Sequence, residues 1–446
     1  MLAKPDNIVA ISTPYGKGGV GIVRLSGPDL SVFATEILGE LPPARHARYS
    51  AFMDRQGETI DQGIALYFPA PNSYTGENVL EFQGHGGIAM PQMLLQRCLQ
   101  LGARLAEPGE FTQRAFLNNK LDLAQAESIA DLIDATTAQA ARSAMRSLQG
   151  EFSQAVNRLV KKIIHFRMLI EATIDFPEEE TEILGIDKRE QELDALIVSL
   201  DEMLATARQG SLLREGVHLV LAGQPNAGKS SLLNRLSGEE VALVSEIAGT
   251  TRDIIRQTIQ IEGIPVHLID TAGLRESEDA IERMGIDRAR QNIQKADMVL
   301  LLTDANDVQE EADRRILETM PAKIPVIRIY NKIDLAGRHS EMIEDQSGCS
   351  IYLSAKSGEG MQLLHDKILA LVGWHHDAGA YMARERHLKA LQDALSNLNS
   401  AKHVISQQEF LAEDLRLAQE KLNSITGEFT SDDLLGEIFG SFCIGK

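Results

Sequence analysis

The octapeptide Gly223-Gln224-Pro225-Asn226-Ala227-Gly228-Lys229-Ser230 constrains this chain more than any other feature. It has the spacing G-x-x-x-x-G-K-[ST], follows the apolar run 217–222 and precedes a stretch, 231–236, that reads as a helix. A strand, a glycine-rich loop and a helix in that order aim successive backbone N–H groups at phosphate oxygens. Lys229 is expected to reach the β and γ phosphates of a nucleoside triphosphate, and Ser230 to bind Mg²⁺ through its hydroxyl, with Ser231 beside it. A phosphate loop alone does not choose the base.

The base is read farther along. Asn331-Lys332-Ile333-Asp334 follows the apolar run 325–330, and Ser354-Ala355-Lys356 follows 351–353. An aspartate so placed accepts two hydrogen bonds, from N1–H and the exocyclic amine of guanine. Adenine offers no matching donors and would leave the carboxylate unpaired. Between these motifs lies Asp270-Thr271-Ala272-Gly273. Asp270 is expected to hold Mg²⁺ through water, and Gly273 to offer its N–H to the γ-phosphate. Of Thr250 and Thr251, the second is the expected switch threonine that meets Mg²⁺ when GTP is bound. The residue after Gly273 is Leu274, which can neither orient nor polarise a water, although many small GTPases place a glutamine there. Arg275, Glu276, Glu278, Asp279, Glu282 and Arg283 are the nearby polar alternatives.

At 446 residues the chain is long enough for two to four domains. Strands at 8–11, 21–25, 63–68 and 79–83 and a helix over 90–102 make residues 1–118 an α+β domain. Glycine and proline then become rare, and one long amphipathic helix over 138–174, an acidic start after Pro177 and a helix over 187–210 ending near Gly210 are expected. Alternating strands and helices return over 217–370, and helix again from Trp374 to about 425. The predicted architecture is therefore a multidomain α/β chain: an N-terminal α+β domain (1–118), a discontinuous all-helical domain (119–215 and 376–446), and an inserted Ras-like α/β P-loop GTPase domain (216–375). The net charge of -20 argues against a nucleic-acid coat or an anionic-membrane binder, though a local basic patch could still hold RNA. Three cysteines without metal spacing, no apolar leader and no membrane-length apolar run point to a reducing cytoplasm and no membrane.

Read together, the motifs resemble the tRNA-modification GTPase family known as MnmE or TrmE. The likeness runs through Gly18-Gly-Val-Gly-Ile22, Gly84-His-Gly-Gly87, Pro108-Gly-Glu-Phe111, the segment from Asn118 to Glu127 and the terminal Phe442-Cys-Ile-Gly-Lys446. The resemblance implies a homodimer that works with the flavin-containing MnmG (GidA) on carbon 5 of the wobble uridine of certain tRNAs. The group added is aminomethyl or carboxymethylaminomethyl, with one carbon from a reduced folate (5-formyl- or methylene-tetrahydrofolate). It implies an N-terminal folate-binding-like domain with contacts at Arg24, Glu81, Lys120 and Lys446. It further implies that K⁺, held by Asn226, Ser245, Ile247 and Thr250, stands where an arginine finger might, and that Glu282 acts on the attacking water through a second water. Cys443 sits in a tail that superficially resembles a prenylation box, but Gly445 is not aliphatic and Lys446 is not a usual final residue. Its role is left open between a thiol with chemistry and a structural or binding part. Two other readings stand beside this one: an RNA-binding or ribosome-assembly GTPase switch, and a GTPase that only controls dimer shape while another subunit does the chemistry.

Overall fold

The computed structural model describes residues 6–175, 185–239, 255–270, 296–318, 320, 324–345, 348–375, 379–427, 438–440, 442 and 445. Contacts group the chain into two compact units. One comprises 1–130, 147–197 and 393–446, and the other 131–146 and 198–392.

The first unit is built on a six-stranded sheet of β1 (Ile8–Ile11), β2 (Gly21–Gly27), β3 (Arg48–Met53), β4 (Thr59–Phe68), β5 (Asn78–Gly84) and β6 (Arg104–Leu105), in the order β3-β4-β5-β2-β1-β6. All neighbours are antiparallel except β1 and β6. The alternation of β2 and β5 puts Val23, Leu25, Leu80 and Phe82 on one face. Helices α1 (Ser31–Leu38) and α2 (Ala89–Gln100) cover that face with Phe33, Ile37, Leu94 and Leu95. Helix α3 (Glu110–Leu117) sets Phe111 against Ile8 and Ala10 on the other face.

Helices α4 (Leu123–Asp134), α5 (Ala138–Leu148), α6 (Glu151–Asp175) and α7 (Ile186–Glu215) follow. Two sequence expectations fail here, both at glycines. The expected helix over 138–174 is two helices, α5 and α6. Gly150 between them has φ +88°, a conformation that ends a helix cheaply only without a Cβ. Gln125 Nε2 donates to the freed carbonyl of Leu148 at 2.9 Å. Gly210, expected to end a helix, lies inside α7. A Cβ there would stand 1.8 Å from the Tyr381 carbonyl oxygen, so this glycine serves close packing rather than termination. The acidic run after Pro177 lies outside the described residues.

The second unit carries a seven-stranded sheet: β7 (Val217–Gly223), β8 (Ile255–Ile261), β9 (Ile264–Asp270), β10 (Met298–Asp304), β11 (Val326–Asn331), β12 (Glu341–Asp345) and β13 (Gly348–Tyr352), in the order β12-β13-β11-β10-β7-β9-β8. The five inner strands are parallel, and β8 and β12 are antiparallel edges. Helices α8 (Lys229–Glu239), α9 (Glu310–Glu318), α10 (Ile333–Ala336) and α11 (Met361–Leu371) alternate with these strands. This is the Ras-like α/β order. Chain order reverses beside β7, so the crevice beyond its carboxyl end is where such a sheet binds ligands. The tip of the β8–β9 hairpin is tied to the residues before α5: Thr137 Oγ1 donates to the Gly263 carbonyl at 2.8 Å and accepts from Ala140 N at 3.0 Å. Helices α12 (Glu385–His403) and α13 (Gln408–Thr426) complete the chain. In the first unit, α13 packs along α6, with Leu411, Leu415 and Leu422 buried on one helix and Val156, Leu159, Ile163 and Phe166 on the other. Burial of each such side chain stabilises by about 1.5–3 kcal/mol. Among the described residues, no helix is long and apolar enough to cross a membrane.

Candidate nucleotide and folate sites

Strand β7 is buried along most of its length and delivers its last residue, Gly223, to the phosphate loop. Three of the loop's features are set by local chemistry. Gly228 has φ +101°, and a Cβ there would lie 2.2 Å from Asn331 Nδ2, so a side chain would be strained and would displace the amide that bonds the Ala227 carbonyl. Asn226 takes φ +63°, a left-handed backbone that asparagine tolerates better than most residues. Lys229 Nζ donates to the carbonyls of Gly223 and Gln224 at 2.6 and 2.8 Å, which holds the ammonium over the loop. Ser230 and Asn226 are exposed, Ala227 is buried, and Ser231 lines the adjoining cavity.

That cavity, about 650 Å³, runs from Gly228 and Ser231 to Asn331, Lys332, Asp334, Ser354, Ala355 and Lys356. The structure thus brings three motifs from distant parts of the chain to one place. Buried Asn331 is the staple: its Nδ2 donates to the Ala227 carbonyl at 2.9 Å, and its Oδ1 accepts from Ala355 N at 3.0 Å. Buried Ser354 donates its hydroxyl to Asp334 Oδ1 at 2.7 Å, which fixes the carboxylate at the cavity wall. Lys332, at φ +67°, places its ammonium 2.7 Å from Asp304 Oδ2 at the end of β10. Burial pushes the Asp304 carboxyl up, but hydrogen bonds from Lys332 and Asn306 outweigh it and hold the group below its ordinary value.

Sequence reasoning missed one residue of this cavity. Arg235, on the helix that leaves the phosphate loop, donates from Nε to the Ala355 carbonyl at 3.1 Å and from Nη2 to the Lys356 carbonyl at 2.5 Å. It lines the same cavity and ties the base-closing loop to α8. Nothing local in the sequence announces it, because its partners lie 120 residues on. Asp270 ends β9, next to β7. Ser245, Ile247, Thr250, Thr251, Thr271, Ala272, Gly273, Leu274 and Glu282 lie outside the described residues.

In the first unit, Arg24 Nε bonds Glu81 Oε1 at 2.8 Å across the β2–β5 register, and its guanidinium lies 5.7 Å from the Tyr74 ring centroid and 5.8 Å from that of Phe111. Lys120 Nζ donates to the Pro71 carbonyl at 3.1 Å, on the same 69–77 loop that carries Tyr74. Arg24 and Lys120 therefore border one loop, and Glu81 is joined to it through Arg24. Lys446 and Cys443 lie outside the described residues. The neighbouring Gly445 is placed by Ser12 Oγ, which donates to its carbonyl at 3.0 Å.

A family model described as "MnmE helical domain" matches residues 123–443, and one described as "GTP-binding protein TrmE N-terminus" matches 7–120. The chain belongs to the MnmE (TrmE) family. Three MnmE relatives, each described as "tRNA modification GTPase MnmE", span its whole length. That of Nitrosomonas eutropha is 59% identical and that of Nitrosomonas europaea 58% identical, each covering 99% of both chains. That of Dechloromonas aromatica is 54% identical over 99% of this chain and 100% of its own. The MnmE family thus covers both the sheet that carries Arg24 and the sheet that carries the phosphate loop.

Proposed function

We infer that this chain is the GTP-hydrolysing component of the machinery that modifies carbon 5 of the wobble uridine in tRNA. It acts as a homodimer with the flavin-containing MnmG (GidA) and adds an aminomethyl or carboxymethylaminomethyl group with a folate-derived carbon. The observation that carries the reading is the single cavity in which Asn331 joins phosphate loop to base loop, beside Asp334, within a chain 59% identical to an MnmE over 99% of its length.

The residues divide the work. Amide groups from Gly223 to Ser231 and the ammonium of Lys229 hold the triphosphate, while Asp334, Ser354 and Lys332 hold guanine. Exposed hydroxyl and amide oxygens on Ser230 and Asn226 are the hard donors that Mg²⁺ and K⁺ take. In this reading Mg²⁺ is held by Ser230 and Thr251, with Asp270 behind a water. K⁺ is held by Asn226, Ser245, Ile247 and Thr250. Bound there, the two ions would supply charge neutralisation to the phosphates. Thr271, Ala272 and Gly273 carry the γ-phosphate contact. Glu282 takes the place of the missing glutamine, orienting the attacking water through a second water. In the first unit, Arg24, Glu81, Lys120 and Lys446 hold the reduced folate, cations meeting its carboxylates. The chain divides, on this reading, into an N-terminal domain (1–118), a helical domain (119–215 and 376–446) and a GTPase domain (216–375).

Two variables test the hydrolytic half together. GTP turnover is expected to be much faster in KCl than in NaCl at equal ionic strength. Glu282→Ala is expected to lose most turnover in KCl, by about 10²-fold or more, while GTP affinity stays within about twofold. Equal rates in the two salts would remove the K⁺ assignment, and normal turnover of the variant would remove the role of Glu282.

A further inference from the structure

The chain carries 64 acidic against 44 basic residues, yet the stretch 152–170 on α6 contains no aspartate or glutamate and four of the Lys and Arg residues. The packing of α6 decides where they point. Val156, Leu159, Val160, Ile163, Phe166 and Ile170 are buried, with α13 packed along the helix, whereas Ile164 and Met168 are exposed. Arg158, Lys161, Lys162 and His165 are all exposed, and their i, i+3, i+4, i+7 spacing gathers them on one face. None of the four has an ion-pair partner among the described residues. The fourth Lys or Arg, Arg167, differs, being paired with Glu171 and Gln419. Unpaired like charges one turn apart destabilise a helix by a few tenths of a kcal/mol each. Among the described residues no carboxylate pairs with these cations to relieve that repulsion, in a chain otherwise rich in acidic groups.

We propose that this face of α6 is a docking surface for the phosphate backbone of the tRNA on which the complex acts. The proposal rests on the functional reading above. Charge complementarity selects the occupant: the stripe spans about 10 Å of helix axis at 1.5 Å per residue, and long flexible cationic stems suit a polyanion. A second copy of this chain is disfavoured, since a symmetric contact would set the same cations against each other. The phenylalanines of the stretch, Phe152 and Phe166, are buried, so no aromatic ring is offered for base stacking. The surface therefore positions RNA without reading its sequence.

The test compares the wild-type chain with the triple variant Arg158→Gln, Lys161→Gln, Lys162→Gln, each assembled with its flavoprotein partner. Affinity for unmodified tRNA is titrated across a series of KCl concentrations. All three side chains are exposed, and none belongs to the nucleotide site. GTP turnover without tRNA is therefore expected at the wild-type rate, which separates failure of this proposal from failure of the GTPase reading. The variant is expected to bind tRNA at least tenfold more weakly near 0.15 M salt. Its log–log salt slope should be shallower by about 2, at about 0.7–0.9 for each phosphate that is no longer neutralised. Unchanged affinity and slope would overturn the proposal. So would weakened assembly with the flavoprotein alongside unchanged tRNA binding, which would make the stripe an acidic-protein surface instead.

Discussion

At the residue scale, the nucleotide cavity depends on side chains that hold backbone rather than ligand. Asn331 commits both ends of its amide to the Ala227 carbonyl and the Ala355 N–H, so phosphate loop and base loop keep one spacing. Arg235 adds a second tie, with two hydrogen bonds from one guanidinium to the carbonyls of Ala355 and Lys356. A hydrogen bond from a charged donor is worth about 1.5–3 kcal/mol net when buried, and less where solvent competes, as it does here for one of the two. Arg235→Ala is therefore expected to weaken GDP and GTP binding by about tenfold with kcat little changed. Arg235→Lys, which can keep one bond, should fall between. Calorimetric affinities and a kcat-against-KM comparison check this, and an unaltered Kd would show that the loop holds its shape without the guanidinium.

At the element scale, the same residue type has opposite meanings in two helices. Gly150 ends α5 because its backbone is left-handed, whereas Gly210 sits within α7 because the Tyr381 carbonyl passes where a side chain would be. Gly210→Ala is expected to cost about 2–3 kcal/mol, since backbone must move. Gly150→Ala should cost about 1 kcal/mol, chiefly from the φ penalty, since the Gln125 Nε2 that a Cβ would approach to 3.2 Å ends a flexible side chain. Urea unfolding of the two variants distinguishes them, and equal small effects would mean that α7 and the 380–383 segment separate easily. This pair also shows what the sequence carries. The strand–loop–helix of the phosphate loop, the inner strands and the base motifs are legible because period, spacing and chemistry are local. Gly210, Arg235 and strand β12 are not. The first two answer to partners more than 100 residues away, and Glu341–Asp345 is exposed throughout, so its hydrophobic pattern marks no strand.

At the scale of the whole molecule, the two units have different polar anchors. In the first, Arg114 is nearly buried and donates to Asp6, Glu77 and Glu110 at 2.6–3.0 Å, and Arg104 joins Asp6 and Glu110. The Arg104 hydrogen bond leads in holding Asp6 below its ordinary value. For Glu110, burial acts upward but is outweighed by Arg104, the Glu107 amide and Arg114, so that carboxyl is depressed as well. Depressed folded-state values mean stabilisation that is fully present above the ordinary carboxylate range and lost as pH falls through the folded values. The first unit is accordingly expected to lose urea resistance steadily below about pH 5. Arg114→Met should cost about 3–5 kcal/mol near neutrality and flatten that dependence. A variant with undiminished acid sensitivity would assign the effect to other carboxylates. In the second unit Ser354 orients Asp334 at the cavity wall, and on the proposed reading that carboxylate is the group on which base choice depends. Guanine presents two donors to that carboxylate, while xanthine presents one donor and one acceptor, matching an amide. The decisive measurement is calorimetric titration of the wild-type chain and Asp334→Asn with GDP and with xanthosine diphosphate, Mg²⁺ present. The wild-type chain is expected to prefer GDP and the variant to reverse that preference, by about 10²-fold or more in each direction. A variant that still prefers GDP would contradict the assignment of this cavity to a guanine nucleotide.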